Sequence, residues 1–145
     1  MKELVGKTIR SVVVNADQSM LRFVCDDGPV TFKVSGDCCS GSWFADIVGY
    51  QALAGHTVRE VEDVPLEEGK PAPDDVPTSI ALTAKGRTHQ DCDAIYGYVV
   101  TTEAGRCTIA FRNGSNGYYG GELEATTGEP AGTVWTPITD DWSAS

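Results

Sequence analysis

The chain has 145 residues, a formal net charge of −10 and a sequence pI of about 4.4. Its length suits one domain with a real core, and an apolar share of 41% sets it among globular chains. Its acidity repels a phosphate backbone, which argues against direct nucleic-acid binding, and no run approaches the ~18 apolar residues of a membrane span.

Lys7 to Val14 reads as a first strand, closed by turn residues at Asn15 to Gln18. Apolar side chains then recur at every second residue in Leu21, Phe23 and Cys25, and again in Val30, Phe32 and Val34. Asp26-Asp27-Gly28 between them tolerates the positive φ of a tight hairpin, so the segment predicts a three-stranded antiparallel meander. Ser40 or Ser42 offers a helix cap, and Trp43, Phe44, Ile47 and Val48 fall at helical spacing. One short helix is therefore expected after Cys39, interrupted by Gly49 and ended by Gly55. Thr57 to Val64 is a further strand, and residues 65–77 form a proline-rich, acidic surface loop. Strands follow at Thr78 to Lys85, Tyr96 to Thr102, Cys107 to Arg112 and Glu122 to Thr126. The remainder holds Trp135 and Trp142 as anchors.

The chain also repeats itself. Leu21 to Gly28 returns as Tyr98 to Gly105, 77 positions later, as strand, acidic-glycine turn and second strand. Each hairpin runs into a corner of small residues and an aromatic: Gly36-Asp37-Cys38-Cys39-Ser40-Gly41-Ser42-Trp43 in the first, Asn113-Gly114-Ser115-Asn116-Gly117-Tyr118-Tyr119-Gly120 in the second. The expected fold is α+β, a mainly antiparallel sheet of two pseudo-repeated hairpin units with one short helix after Cys39. It forms a single domain over 1–126, with halves of about 4–64 and 78–126 joined by loop 65–77, and a C-terminal extension over 127–145. Single hairpins are marginal, so the halves share a core, as one continuous sheet or as a pseudo-twofold sandwich.

Five cysteines, at 25, 38, 39, 92 and 107, are odd in number and irregular in spacing, which points to reduced thiols in a cytoplasmic protein. The N-terminus carries no apolar signal core. Cys38 and Cys39 cannot bridge each other without strain. A thiolate at either needs a base, and only His56 and His89 exist. His89 and Cys92 are a weak metal pair without the paired spacing of zinc sites, and Asp91 and Asp93 lack the calcium-loop pattern. No catalytic residue, metal or cofactor is assigned. The corners remain: backbone N–H groups there can nest an anion and tyrosines can stack on a planar ring. Cys38, Cys39, Ser40, Trp43, Ser115, Asn116, Tyr118 and Tyr119 are the candidate ligand-binding residues, set against the simpler role of glycines at a tight crossing.

The opening Leu4-Val5-Gly6-Lys7-Thr8-Ile9, the Gly36-Asp37-Cys38-Cys39-Ser40 string and the late Ser115-Asn116-Gly117-Tyr118-Tyr119 resemble a family of small domains carried largely by bacteriophages and bacterial genomes. The resemblance spans residues 4 to 126 without the proline-rich insert. It implies a phage or prophage origin and the cytoplasm of an infected bacterium, and it carries no activity. Three functions follow as expectations. The first is a non-enzymatic accessory protein that binds and modulates a host bacterial protein. The second is a binder or sponge for a nucleotide-like small molecule at the corners, and the third is a metal- or thiol-dependent enzyme. A homo-oligomer is compatible with all three.

Overall fold

A computed structural model describes residues 1–36, 41–66, 76–77, 92–115 and 121–144. Among the described residues, ten antiparallel strands form two five-stranded sheets. The first half contributes β1 (Ile9–Asn15), β2 (Met20–Cys25), β3 (Gly28–Gly36) and β4 (Gly41–Val48). The second contributes β5 (Val58–Leu66), β6 (Cys92–Thr102), β7 (Gly105–Ser115) and β8 (Gly121–Thr126). The tail adds β9 (Trp135–Ile138) and β10 (Trp142–Ser143). One sheet runs β8-β3-β2-β1-β9 and the other β10-β4-β7-β6-β5.

The α+β expectation is corrected. The described residues hold no α-helix, only two 3-10 turns at Lys2–Leu4 and Tyr50–Ala52. The helix expected after Cys39 is strand β4, paired with β7 from Gly41↔Gly114 to Val48↔Thr108. Residues 43 to 47 are all buried, so this strand is covered on both faces and shows no alternation. A register shift between Phe44 and Asp46 moves Ile47 onto the same inner side as Phe44. That spacing of three mimics a helix. The strand expected at Thr78 to Lys85, and loop 65–77 apart from its two ends, lie outside the described residues.

The inner faces share one core. Phe23 and Phe32 of the first sheet meet edge to face at 5.8 Å. In the second sheet Phe111 takes Phe44 edge-on at 6.3 Å and Tyr96 stacked at 4.6 Å. Such aromatic pairs add about 1 kcal/mol each beyond their buried area.

The internal repeat is wider than the hairpins. Leu4-Val5-Gly6-Lys7-Thr8-Ile9-Arg10-Ser11-Val12 returns as Leu53-Ala54-Gly55-His56-Thr57-Val58-Arg59-Glu60-Val61, 49 positions later. The backbone repeats with it: the Gly6 N–H donates to the Val58 carbonyl at 2.8 Å and the Gly55 N–H to the Ile9 carbonyl at 2.7 Å. Gly6 and Gly55 both sit at positive φ, 84° and 81°. The bulge between Ile9 and Ser11 against β2 recurs between Val58 and Glu60 against β6. Hairpin closure at Cys25↔Gly28 recurs at Thr102↔Gly105. Thr8 bridges its own mate Thr57, with the two hydroxyl oxygens 2.7 Å apart, on the pseudo-twofold axis. The offset grows from 49 to 77 because residues 67–91 join β5 to β6 where only residues 16–19 join β1 to β2, and because β5 and β6 extend further toward that link than β1 and β2 do.

Each half is a three-stranded meander whose fourth strand leaves for the other half. β4 completes the sheet of β5-β6-β7, and β8 completes the sheet of β1-β2-β3. The two copies are exchanged into each other within one chain.

Candidate functional site

Both corners leave the sheets at the same end. β3 closes at Gly36, paired with Gly121 where β8 opens; β4 opens at Gly41, paired with Gly114 near the close of β7. The strand that closes before each corner and the strand that opens after it belong to different sheets, β3 and β4 in the first case and β7 and β8 in the second. The flanking residues are tied together by side chains. The Ser42 hydroxyl donates to Asn113 Oδ1 at 2.7 Å, and the Gly121 N–H donates to the Tyr96 hydroxyl at 3.1 Å. Asn113 is fully buried. A Cβ at Gly121 would come within 2.8 Å of Ser42 Oγ and 3.0 Å of the Asn113 Cβ, so glycine there lets the two sheets approach.

Of the candidate residues, Trp43 sits buried in β4, opposite Arg112 of β7 in register. Ser115 pairs with Cys92 through the backbone of β7 and β6. Cys38, Cys39, Ser40, Asn116, Tyr118, Tyr119 and His89 lie outside the described residues. The side chains of Ser115 and Cys92 lie outside them as well.

The described thiols are poor nucleophiles. Cys25 and Cys107 are buried, and burial pushes both thiols up, Cys107 well above the ordinary thiol range. His56 meets Glu103 at 2.9 Å on the surface, which holds the Glu103 carboxyl below its usual range. Among the described residues no three His, Cys, Asp or Glu side chains gather as metal ligands. No described helix is long and apolar enough to cross a membrane.

The internal symmetry exposes a second candidate region that the sequence reading missed. β9 closes the outer edge of β1, with Val12↔Ile138, Val13↔Pro137, Val14↔Thr136 and Asn15↔Trp135 in register. Ile138 is buried against the core, and Arg22 lies over the Trp135 ring at 4.4 Å. The symmetry mate of β1 is β5, and among the described strands nothing pairs with its outer edge. An open cavity of about 350 Å³ spans β5 and its partner β6, lined by Asp63, Val64, Ile95, Tyr96, Gly97 and Tyr98. Leu21, the mate of Tyr98, is fully buried, and Val14, the mate of Asp63, is nearly so. Tyr98 is half-buried and Asp63 exposed.

The other end of the tail repeats the pattern. β10 closes β4 through Trp142↔Ile47, while β8, the mate of β4, is an edge among the described strands. Asp141 accepts the Gly49 and Tyr50 N–H groups at 2.9 Å each, beside β4. An open cavity of about 290 Å³ spans β2, β3 and the end of β8, lined by Arg22, Pro29, Val30, Thr31, Ala125, Thr126 and Thr127. The signal that would have revealed these regions is the Leu-x-Gly-x-Thr-x-Arg-x-Val repeat, which pairs β1 with β5.

A family model described as a domain of unknown function (DUF7448) matches residues 2–125. No curated protein and no solved structure matches the chain.

Proposed function

Because the chain belongs to the DUF7448 family of domains of unknown function, we propose a role drawn from its own surface: a non-enzymatic accessory protein of a bacteriophage that binds and modulates a host bacterial protein in the cytoplasm. The observation that carries this reading is the broken symmetry. One tail closes one edge of each sheet, and the mate of each closed edge stays open among the described strands, with a cavity where that edge strand meets its paired neighbour. Unpaired edges are ordinarily blunted, because they recruit other chains. An open edge retained beside a closed twin supports a binding surface. The net charge of −10 favours a partner with a basic face.

Affinity capture from host lysate tests the reading. The folded protein should retain one host protein in near-equal amount, and high salt should weaken that retention. Equal recovery on acid-unfolded protein, or no enrichment at all, would contradict it.

A second reading, a small-ligand binder at the crossover end, is favoured by one observation. The flanks of both corners pair in register, Gly36 with Gly121 and Gly41 with Gly114, and the Ser42 hydroxyl bonds Asn113 between them, so the described ends of both glycine-rich strings lie together. Native mass spectrometry of gently purified protein decides it. A mass excess of a few hundred daltons supports a bound molecule, and the bare chain mass removes it.

A further inference from the structure

We propose that the outer edge of β5 is a docking seat for one extended strand of a partner protein, read antiparallel to Val61–Val64, with a lysine or arginine two residues before an apolar side chain. This rests on the protein-binding reading above and specifies its site. The argument is a superposition of the chain on itself. Val12, Val13, Val14 and Asn15 of β1 carry β9, and their mates 49 positions on are Val61, Glu62, Asp63 and Val64 of β5. The seat on β1 shows what such an edge accepts: an antiparallel strand with an apolar residue, Ile138, turned into the core opposite Val12.

The same geometry on β5 places the incoming apolar residue opposite Val61, which belongs to the core. The residue two positions earlier, the counterpart of Thr136, then faces Asp63. There the wall differs from that of β1. Asp63 is exposed, Tyr96 and Tyr98 stack against Phe111 at 4.6 and 6.2 Å, and the cavity of about 350 Å³ opens between them. A long cationic side chain fits it, with its methylenes along the tyrosine rings and its charge at the carboxylate. Burial and the neighbouring Asp63 charge push the Tyr98 phenol up. Main-chain pairing along the edge supplies affinity and the two side-chain positions supply selectivity, as in other strand-addition interfaces.

The test is a titration of the full chain with two synthetic peptides of residues 133–139, one carrying Thr136→Lys and the other Thr136→Glu. Backbone resonances of Val61–Val64 and Tyr96–Tyr98 report where each peptide binds. The lysine peptide should bind at least about tenfold tighter than the glutamate peptide, the scale of one charge-assisted contact. The shifts should centre on β5, and Asp63→Lys should invert the preference. Asp63 is exposed, so that variant keeps the fold, which its melting temperature verifies. Equal binding of both peptides, or shifts confined to other strands, would overturn the proposal. So would saturation of the β5 edge by segment 67–91 of the chain itself, seen as no shift in the full chain and shifts once that segment is deleted. A concentration-dependent dimer lost on removing residues 133–145 would replace the foreign strand with a second copy. Host-protein capture separates the two readings. Capture kept by Asp63→Lys leaves the binding role and removes this seat, whereas absence of capture by the unaltered chain removes the role while the peptides still report on the edge.

Discussion

Gly49 and Gly55 both hold a left-handed backbone, at φ 91° and 81°, but their surroundings differ. A Cβ at Gly49 would run into the Arg106 carbonyl oxygen, whereas Gly55 has nothing within 4 Å. Gly55→Ala should therefore cost only the conformational penalty of about 1–2 kcal/mol. Gly49→Ala adds a backbone clash at the point where β4 turns into the Tyr50 3-10 turn and should cost more than about 3 kcal/mol. Thermal melts of the two variants check this, and equal losses would contradict it. Cys25 and Cys107 give a chemical version of the same contrast between buried and open sites. Both thiols are buried and pushed up, so neither should react with iodoacetamide in the folded protein at neutral pH, and both should react once it is unfolded. Peptide mapping by mass spectrometry reads this site by site.

The hairpin tips carry matching ion pairs. Lys7 meets Asp27 at 2.6 Å, Arg10 pairs with Asp26, and at the mate position His56 meets Glu103. Hydrogen bonds from these partners hold Asp26, Asp27 and Glu103 below their ordinary carboxylate range. Groups lowered on folding contribute stability that is full above their unfolded values and lost as the pH falls through the folded ones. Melting temperature should therefore hold near neutrality and drop as the pH falls below about 4. Asp26→Asn with Asp27→Asn should shallow that drop, and an unchanged acid profile would contradict it. At β9, Ile138→Ala empties a core position and should cost about 2–4 kcal/mol by denaturant unfolding. Pro137 is tolerated in that strand because it lies at the sheet edge, where one side needs no ladder hydrogen bond.

What the sequence disclosed follows from these elements. The β2-β3 and β6-β7 hairpins were legible because alternation and an acidic-glycine turn speak together, and their offset of 77 holds in the pairing. The β1-β5 repeat escaped because its offset of 49 becomes 77 beyond residues 67–91, so no single shift aligns both halves. β4 was misread because a strand buried on both faces loses its period of two, and the bulge at Phe44 supplies a false period near that of a helix. Of the candidate corner, the sequence marked the two glycine-rich strings as counterparts, and the structure joins their flanks. The open β5 edge could not be read at all, since it is defined by a strand present on its mate.

At the scale of the whole molecule, the exchange of β4 and β8 ties the halves into one cooperative unit. Neither meander buries its inner face without the other, because Phe44 of the first half packs on Phe111 of the second. Unfolding in urea should show one transition, with aromatic fluorescence and far-ultraviolet circular dichroism coincident. Fragment exchange tests the architecture most directly: residues 1–52, which hold β1 to β4, and residues 53–145, which hold β5 to β10, are produced separately, then mixed. The exchanged duplication predicts that neither fragment is a folded monomer alone, and that mixing yields a 1:1 complex with a single sharp melt. A stable, folded monomer of either fragment, with no gain on mixing, would contradict it.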